Sequence, residues 1–199
     1  MKKIAIYGGS FNPPTKGHME VINAVLPHVD EVWVVPVGKH PFNKELASLE
    51  DRERMLYNLY YNHPKVSICG HLGKPKVPQK TFLFMRHLRK LLPDNDYYIV
   101  IGSDNAQEIR KWYKWKQLCK ENKFIIVKRG NFTMEFDSKL FEGSTMCFNH
   151  KCEKGYSSSE IRGFIAEQTK YSNDLVKRWL PKSVMTYIDM HKLYNYTER

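Results

Sequence analysis

The chain has 199 residues, 42% of them hydrophobic, which suffices for one domain with its own core. Its mean hydropathy is −0.56, and no apolar run approaches the roughly 20 residues of a membrane span, so the expectation is a soluble protein and not a membrane protein. The formal net charge of +11 admits two kinds of partner, nucleic acid or small multiply charged phosphates, and the dispersed lysines favour the second.

The start, MKKIAIYGG, superficially resembles a signal peptide. Its apolar run is too short and no small-residue cleavage site follows, so it reads as a first strand. Further apolar, β-branched runs recur at 31–37, 65–69, 97–101 and 123–127. Helical patterns lie between them. Residues 20–29 place Val21, Ile22, Val25 and Leu26 at helical spacing. Residues 49–61 do the same with Met55, Leu56 and Leu59, and Ser48 with Asp51 forms a capping-box pattern. Residues 81–92 carry Phe82, Met85, Leu88 and Leu91, and Pro93 stops them. Beyond Gly130 the alternation weakens to one strand at 144–148. Helical pattern returns from Ser157, and Pro181 fits the first turn of a last helix with Val184, Tyr187, Ile188 and Leu193 on its apolar face. Alternating strands and helices predict an α/β, Rossmann-like, doubly wound parallel sheet with a helical C-terminal part. Right-handed crossovers put every strand's C-terminus on one edge, where open α/β sheets bind ligands.

Four cysteines, Cys69, Cys119, Cys147 and Cys152, are scattered and read as reduced thiols of a cytoplasmic protein. The grouping Cys147, His150 and Cys152 lacks the paired spacing of a zinc finger, and no protein metal site is expected.

Four stretches carry chemistry on the expected ligand edge. The first is YGGSFNPPTKGHM at 7–19, between the first strand and the first helix. Gly8 and Gly9 allow close backbone approach, Pro13 and Pro14 stiffen the turn, and Gly17 and His18 open a helix whose free N–H groups favour phosphate. It is neither a Walker loop nor a dinucleotide glycine motif. The second is GYSSSEIRG at 155–163. Ser157 and Glu160 form an S-x-x-E capping box, which puts Ser158 and Ser159 at a helix start with Arg162 one turn on. The third is the loop after the second strand, where Lys39, His40 and Lys44 could neutralise charge during phosphoryl transfer. In the fourth, IGSDNAQEIRKWYKW, Asp104 follows a strand and can accept from ribose hydroxyls, and one of Trp112, Tyr113 and Trp115 could stack on a flat ring.

Together these stretches resemble a known family. GGSFNPPTKGH resembles the (His/Thr)-x-Gly-His signature of the nucleotidyltransferase superfamily of adenylyl- and cytidylyltransferases, and YSSSEIR resembles its second signature. IGSDN with KWYKW, and KTFLFMRHLRKLLP, resemble segments of the nicotinate and nicotinamide mononucleotide adenylyltransferases. The resemblance covers nearly the whole chain and its motif order. It implies one nucleotidyltransferase domain over residues 1–199 that moves AMP from ATP to a pyridine mononucleotide, releasing pyrophosphate. It implies catalytic roles for His18, Lys44 and Arg162, with Lys39 the alternative to Lys44. It implies ATP contacts at Gly8, Gly9, Ser10, Phe11, Thr15, His18, Gly102, Asp104, Ser158, Ser159 and Arg162. Mononucleotide contacts fall to Asn12, Lys44, Thr81 and Trp112. Magnesium is expected mainly on the ATP phosphates. The expected partners are the two substrates, with neither nucleic acid nor membrane, and a homo-oligomer is open. Thr15 and Asn12 replace residues common in bacterial members, and Tyr156 and Ser159 replace the usual isoleucine and threonine. Lys74, Lys76 and Lys80 ahead of Thr81 lean toward the nicotinate substrate, whereas Asn12 with Thr15 leans toward nicotinamide. The alternatives are pantetheine-phosphate adenylyltransferase and, in a different class, a basic nucleic-acid-binding protein.

Overall fold

The computed structural model describes residues 1–38, 46–74, 76–128, 137–141, 145–149, 157–167 and 169–195. Among the described residues six strands form one sheet: β1 Lys2–Gly9, β2 Glu31–Pro36, β3 Val66–Ile68, β4 Asn95–Gly102, β5 Lys123–Lys128 and β6 Thr145–Asn149. Their spatial order is β3-β2-β1-β4-β5-β6, and every pairing is parallel. The direction of winding reverses between β1 and β4, which leaves a crevice beyond their C-terminal ends.

The strands read as continuous apolar runs because both faces of the sheet are covered. Alternation sends Ile4 and Ile6, Tyr97, Ile99 and Ile101, and Phe124 and Ile126 into one core. It sends Ala5 and Tyr7, Tyr98 and Val100, and Ile125 and Val127 into the other. The second core is closed by helix α1 (Lys16–Val25), through Val21, Ile22 and Val25, and by α2 (Leu49–Tyr60), through Leu56 and Tyr60. The first is closed by α3 (Thr81–Leu91) and by the segment containing α4 (Ser103–Gln107) and α5 (Trp115–Glu121).

Three more helices, α6 (Ser158–Glu167), α7 (Lys170–Trp179) and α8 (Lys182–His191), build a third core with Met55 of α2. Helix α2 therefore buries two faces. One lies on the sheet and the other on the C-terminal helices, and this packing carries α6 to the active edge. Pro181 caps α8 instead of lying inside it. Helix α1 begins earlier than periodicity suggests, because Thr15 caps it in an extended conformation.

Candidate active site

The turn after β1 is built around a strained residue. Phe11 has φ 46°, a left-handed conformation that costs a residue with a Cβ about 1–2 kcal/mol. Its ring is 1% exposed and meets Tyr7 edge-on, with centroids 5.3 Å apart. It also meets the imidazole of His18 at 5.0 Å, and the Tyr7 and His18 centroids lie 6.3 Å apart, so the three rings form one cluster. The Phe11 ring therefore packs against the histidine and is closed off from the crevice. A Cβ on Gly9 would sit 3.1 Å from that ring, whereas one on Gly8 would meet nothing within 4 Å. Gly8 thus leaves open space at the mouth of the crevice.

Thr15 and His18 cap α1 together. The Thr15 N–H donates to His18 Nδ1 at 3.0 Å, and the Thr15 hydroxyl lies 2.9 Å from the same nitrogen. A nitrogen that accepts a backbone N–H carries no proton. The imidazole is therefore the tautomer with its proton on Nε2, and the Thr15 hydroxyl donates as well. One helix cap thus orients the ring and selects the nitrogen that can donate to a phosphate.

The second signature touches the first directly. The Ser157 N–H donates to the Glu160 carboxylate at 2.7 Å, and the Glu160 N–H donates to Ser157 Oγ at 3.3 Å, so the expected capping box opens α6. Ser158 Oγ donates to the Pro13 carbonyl at 2.9 Å. Arg162 Nη1 donates to the Asn12 carbonyl at 2.7 Å and to the Ser158 carbonyl at 3.2 Å, while Nη2 reaches Ser159 Oγ at 3.3 Å. Two helix N-termini, a histidine and an arginine therefore share one edge of the sheet.

Asn12 takes a supporting place. It is 1% exposed, and its Oδ1 accepts from the Ala47 N–H at 3.0 Å and from the Tyr194 hydroxyl at 2.9 Å. That engagement occupies the Oδ1 of the residue expected to meet the mononucleotide. Tyr194 lies near both Arg162 and Arg52, and burial pushes its hydroxyl pKa well up.

On the β4 side, Gly102 caps α4 and Asp104 is exposed in its first turn, beside the end of β1. Thr81 opens α3, and Trp112 is half-buried against the core that contains Phe82. The segment before Thr81 is fastened to the end of β2 by close backbone approach. The Gly38 N–H donates to Gln79 Oε1 at 3.2 Å. A Cβ on Gly73 would lie 1.9 Å from the Pro36 carbonyl oxygen, and one on Gly38 would lie 2.2 Å from that of Gly73. Lys39, His40 and Lys44 lie outside the described residues, as do Tyr156, His150, Cys152 and the side chain of Cys147. Cys69 is buried, which pushes its thiol up to about 12 and leaves it unreactive.

Sequence reasoning missed Arg52. It is 1% exposed and is among the largest fully buried side chains. Its Nε donates to the Ala47 carbonyl at 2.9 Å, and its Nη1 donates to those of Ser10 at 2.8 Å and Val37 at 2.9 Å. The signal that could have found it is a charge on the apolar stripe of α2, at helical spacing with Met55, Leu56 and Tyr60.

This layout, with paired helix starts at the switch point of a parallel sheet and cationic and hydroxyl donors between them, is that of a nucleotidyltransferase. The cytidylyltransferase-like family model matches residues 6–164. A Bacillus cytotoxicus protein named "Probable nicotinate-nucleotide adenylyltransferase" is 32% identical, covering 98% of this chain and 99% of its own. A Plasmodium falciparum nicotinic acid mononucleotide adenylyltransferase complexed with NaAD superposes with a TM-score of 0.83 at 26% identity, covering 99% of both chains. The same enzyme complexed with APC gives 0.82. The chain belongs to the cytidylyltransferase-like family and, within it, to the nicotinate-nucleotide adenylyltransferases.

Proposed function

We propose that the chain transfers the AMP group of ATP to nicotinate mononucleotide, forming deamido-NAD and releasing pyrophosphate, as one catalytic domain. The observation that carries this reading is the direct contact between the two signatures, through Ser158 on Pro13 and Arg162 on Asn12. It gathers donors for a long polyphosphate into one crevice. The 5′-phosphate of the mononucleotide attacks the α-phosphorus of ATP in line. A new P–O bond forms there as the bond to the β-phosphate breaks, and the electron pair leaves with pyrophosphate. The nucleophile is already an anion, so no side chain need activate it. The site must position two anions and offset their repulsion.

His18 donates from Nε2 to a phosphate oxygen. Arg162 and the N–H groups at the starts of α1 and α6 add positive potential. Lys44 is the proposed loop cation. Gly8 and Gly9 give the nucleotide room, and Gly102 and Asp104 take the ribose. Trp112 offers a face to the pyridine ring. The first N–H groups of α3, at Thr81, suit a carboxylate better than an amide, and Lys80 directly precedes them. The relatives' names point to the same acid. Among the described residues, no group of three or more His, Cys, Asp or Glu could hold a metal ion. The donors at the helix starts suit phosphate oxygens, so magnesium is assigned to the ATP phosphates as part of that substrate. No helix of the described residues is long and apolar enough to cross a membrane.

The test is pyrophosphate release from ATP with nicotinate and nicotinamide mononucleotides in parallel. The expected result is turnover with the acid and a kcat/KM lower by about tenfold or more with the amide. No release with either would overturn the activity, and a preference for the amide would overturn the assigned substrate.

A further inference from the structure

The histidine's support depends on a main-chain conformation that Phe11 would not adopt unaided. A left-handed residue with a bulky side chain persists only where its surroundings over-determine it. Side chains from outside the turn hold the residues on either side of it. Arg52 holds the Ser10 carbonyl just before Phe11, and Arg162 holds the Asn12 carbonyl just after it. The Tyr194 hydroxyl holds Asn12 Oδ1. Arg162 already belongs to the phosphate site. The other two belong to no step of the chemistry.

Arg52 is the costlier of the two. A buried guanidinium is penalised unless its donors are satisfied, and among the described residues no carboxylate forms an ion pair with it. It donates instead to main-chain carbonyls at the C-terminal edge of the sheet. Ser10 follows β1, Val37 follows β2, and Ala47 precedes α2. The last two bracket in sequence the stretch that carries Lys39 and Lys44. The planar fork of arginine can serve several carbonyls at fixed angles, which lysine cannot. A residue needed only to fill space between α2 and the sheet would be apolar.

We propose that Arg52 is a positioning residue for adenylyl transfer, acting through Ser10 and Phe11 on the His18 imidazole, with Tyr194 holding the adjacent Asn12. The inference rests on the proposed activity. Arg52 touches no substrate. It sets where the Phe11 ring lies and so where His18 Nε2 lies.

The test compares Arg52→Lys and Tyr194→Phe with the wild-type chain, each also combined with His18→Ala. It reads kcat, both KM values and the melting temperature. Arg52→Lys should lower kcat by on the order of tenfold to a hundredfold, because a small misplacement of a reacting group has that effect. The KM for nicotinate mononucleotide should move by no more than about twofold. Tyr194→Phe should lower kcat in the same direction by less. In the His18→Ala background neither change should alter kcat by more than about twofold, since the group they position is gone. A merely structural role would show the same loss in both backgrounds, and that result overturns the inference. So does a folded Arg52→Lys variant with the wild-type kcat. If Arg52→Lys does not fold, Tyr194→Phe, which removes one hydroxyl, decides alone by the same criteria. An inactive wild-type chain would overturn the proposed activity and this inference with it.

Discussion

His18 has two separable duties, and two substitutions pull them apart. Its Nδ1 accepts the Thr15 N–H at 3.0 Å, a cap bond worth about 1 kcal/mol of stability. Its ring packs on Phe11 with centroids 5.0 Å apart, worth about 0.5–1.5 kcal/mol more. In the proposed reaction its Nε2 donates to a phosphate, which is worth about 3–4 kcal/mol in the transition state. In His18→Asn, the amide oxygen occupies nearly the place of Nδ1 and can still accept the Thr15 N–H. In His18→Ala nothing accepts it. Both variants lose the ring and the distal donor. Chemical denaturation should therefore find the asparagine variant more stable than the alanine variant by about 1 kcal/mol. Pyrophosphate-release assays should find both slower than wild type by on the order of a hundredfold to a thousandfold, and within a few-fold of each other. Near-wild-type turnover in His18→Asn would show that the proximal nitrogen does the work and would refute the tautomer derived from the cap. Equal stability of the two variants would refute the cap itself.

Arg162→Lys should lower kcat by on the order of tenfold to a hundredfold, because an ammonium cannot span the Asn12 carbonyl and Ser159 Oγ while facing a phosphate; steady-state kinetics will show it. Gly73→Ala should destabilise the fold by about 1–3 kcal/mol in thermal melts and raise the KM for the mononucleotide more than that for ATP, since its Cβ would push the segment before Thr81 off the end of β2. Asp96 ties β4 to β5 by accepting from Lys123 Nζ at 2.8 Å. Burial pushes its pKa up, but the hydrogen bonds from Lys123 and the Tyr98 hydroxyl outweigh that and leave it below the ordinary carboxylate value. A depressed carboxyl stabilises the fold above its unfolded pKa, and the contribution fades as pH falls through the folded value. Asp96→Asn should therefore cost less than about 1 kcal/mol at neutral pH, the pair being partly exposed, and nothing in strong acid, as urea titrations across pH will report.

What the sequence disclosed depended on how far each signal reaches along the chain. The strands were legible because burial on both faces leaves a run such as Tyr98, Ile99, Val100 and Ile101 apolar throughout. The two signatures were legible because each is a helix cap, and a cap is a pattern of neighbours. Helix α4, the short turn after it and α5 were not legible. None is long enough to show a period, and Lys114, at φ 50°, breaks the stretch between them. The supports of the site were hidden for a different reason. Tyr194 and Asn12 are 182 residues apart, and Arg52 reaches 42 residues back to Ser10. No local pattern encodes such pairs. Arg52 still left one trace, a charge where α2 should be apolar. Propensity and burial both argue against a guanidinium there, so something must compensate it. Parallel strands that end at a ligand edge leave carbonyls without sheet partners, and a cation buried beneath that edge can satisfy several at once. In a helix that packs under the C-terminal ends of β1 and β2, a charge misplaced on the apolar stripe therefore points toward the active loops.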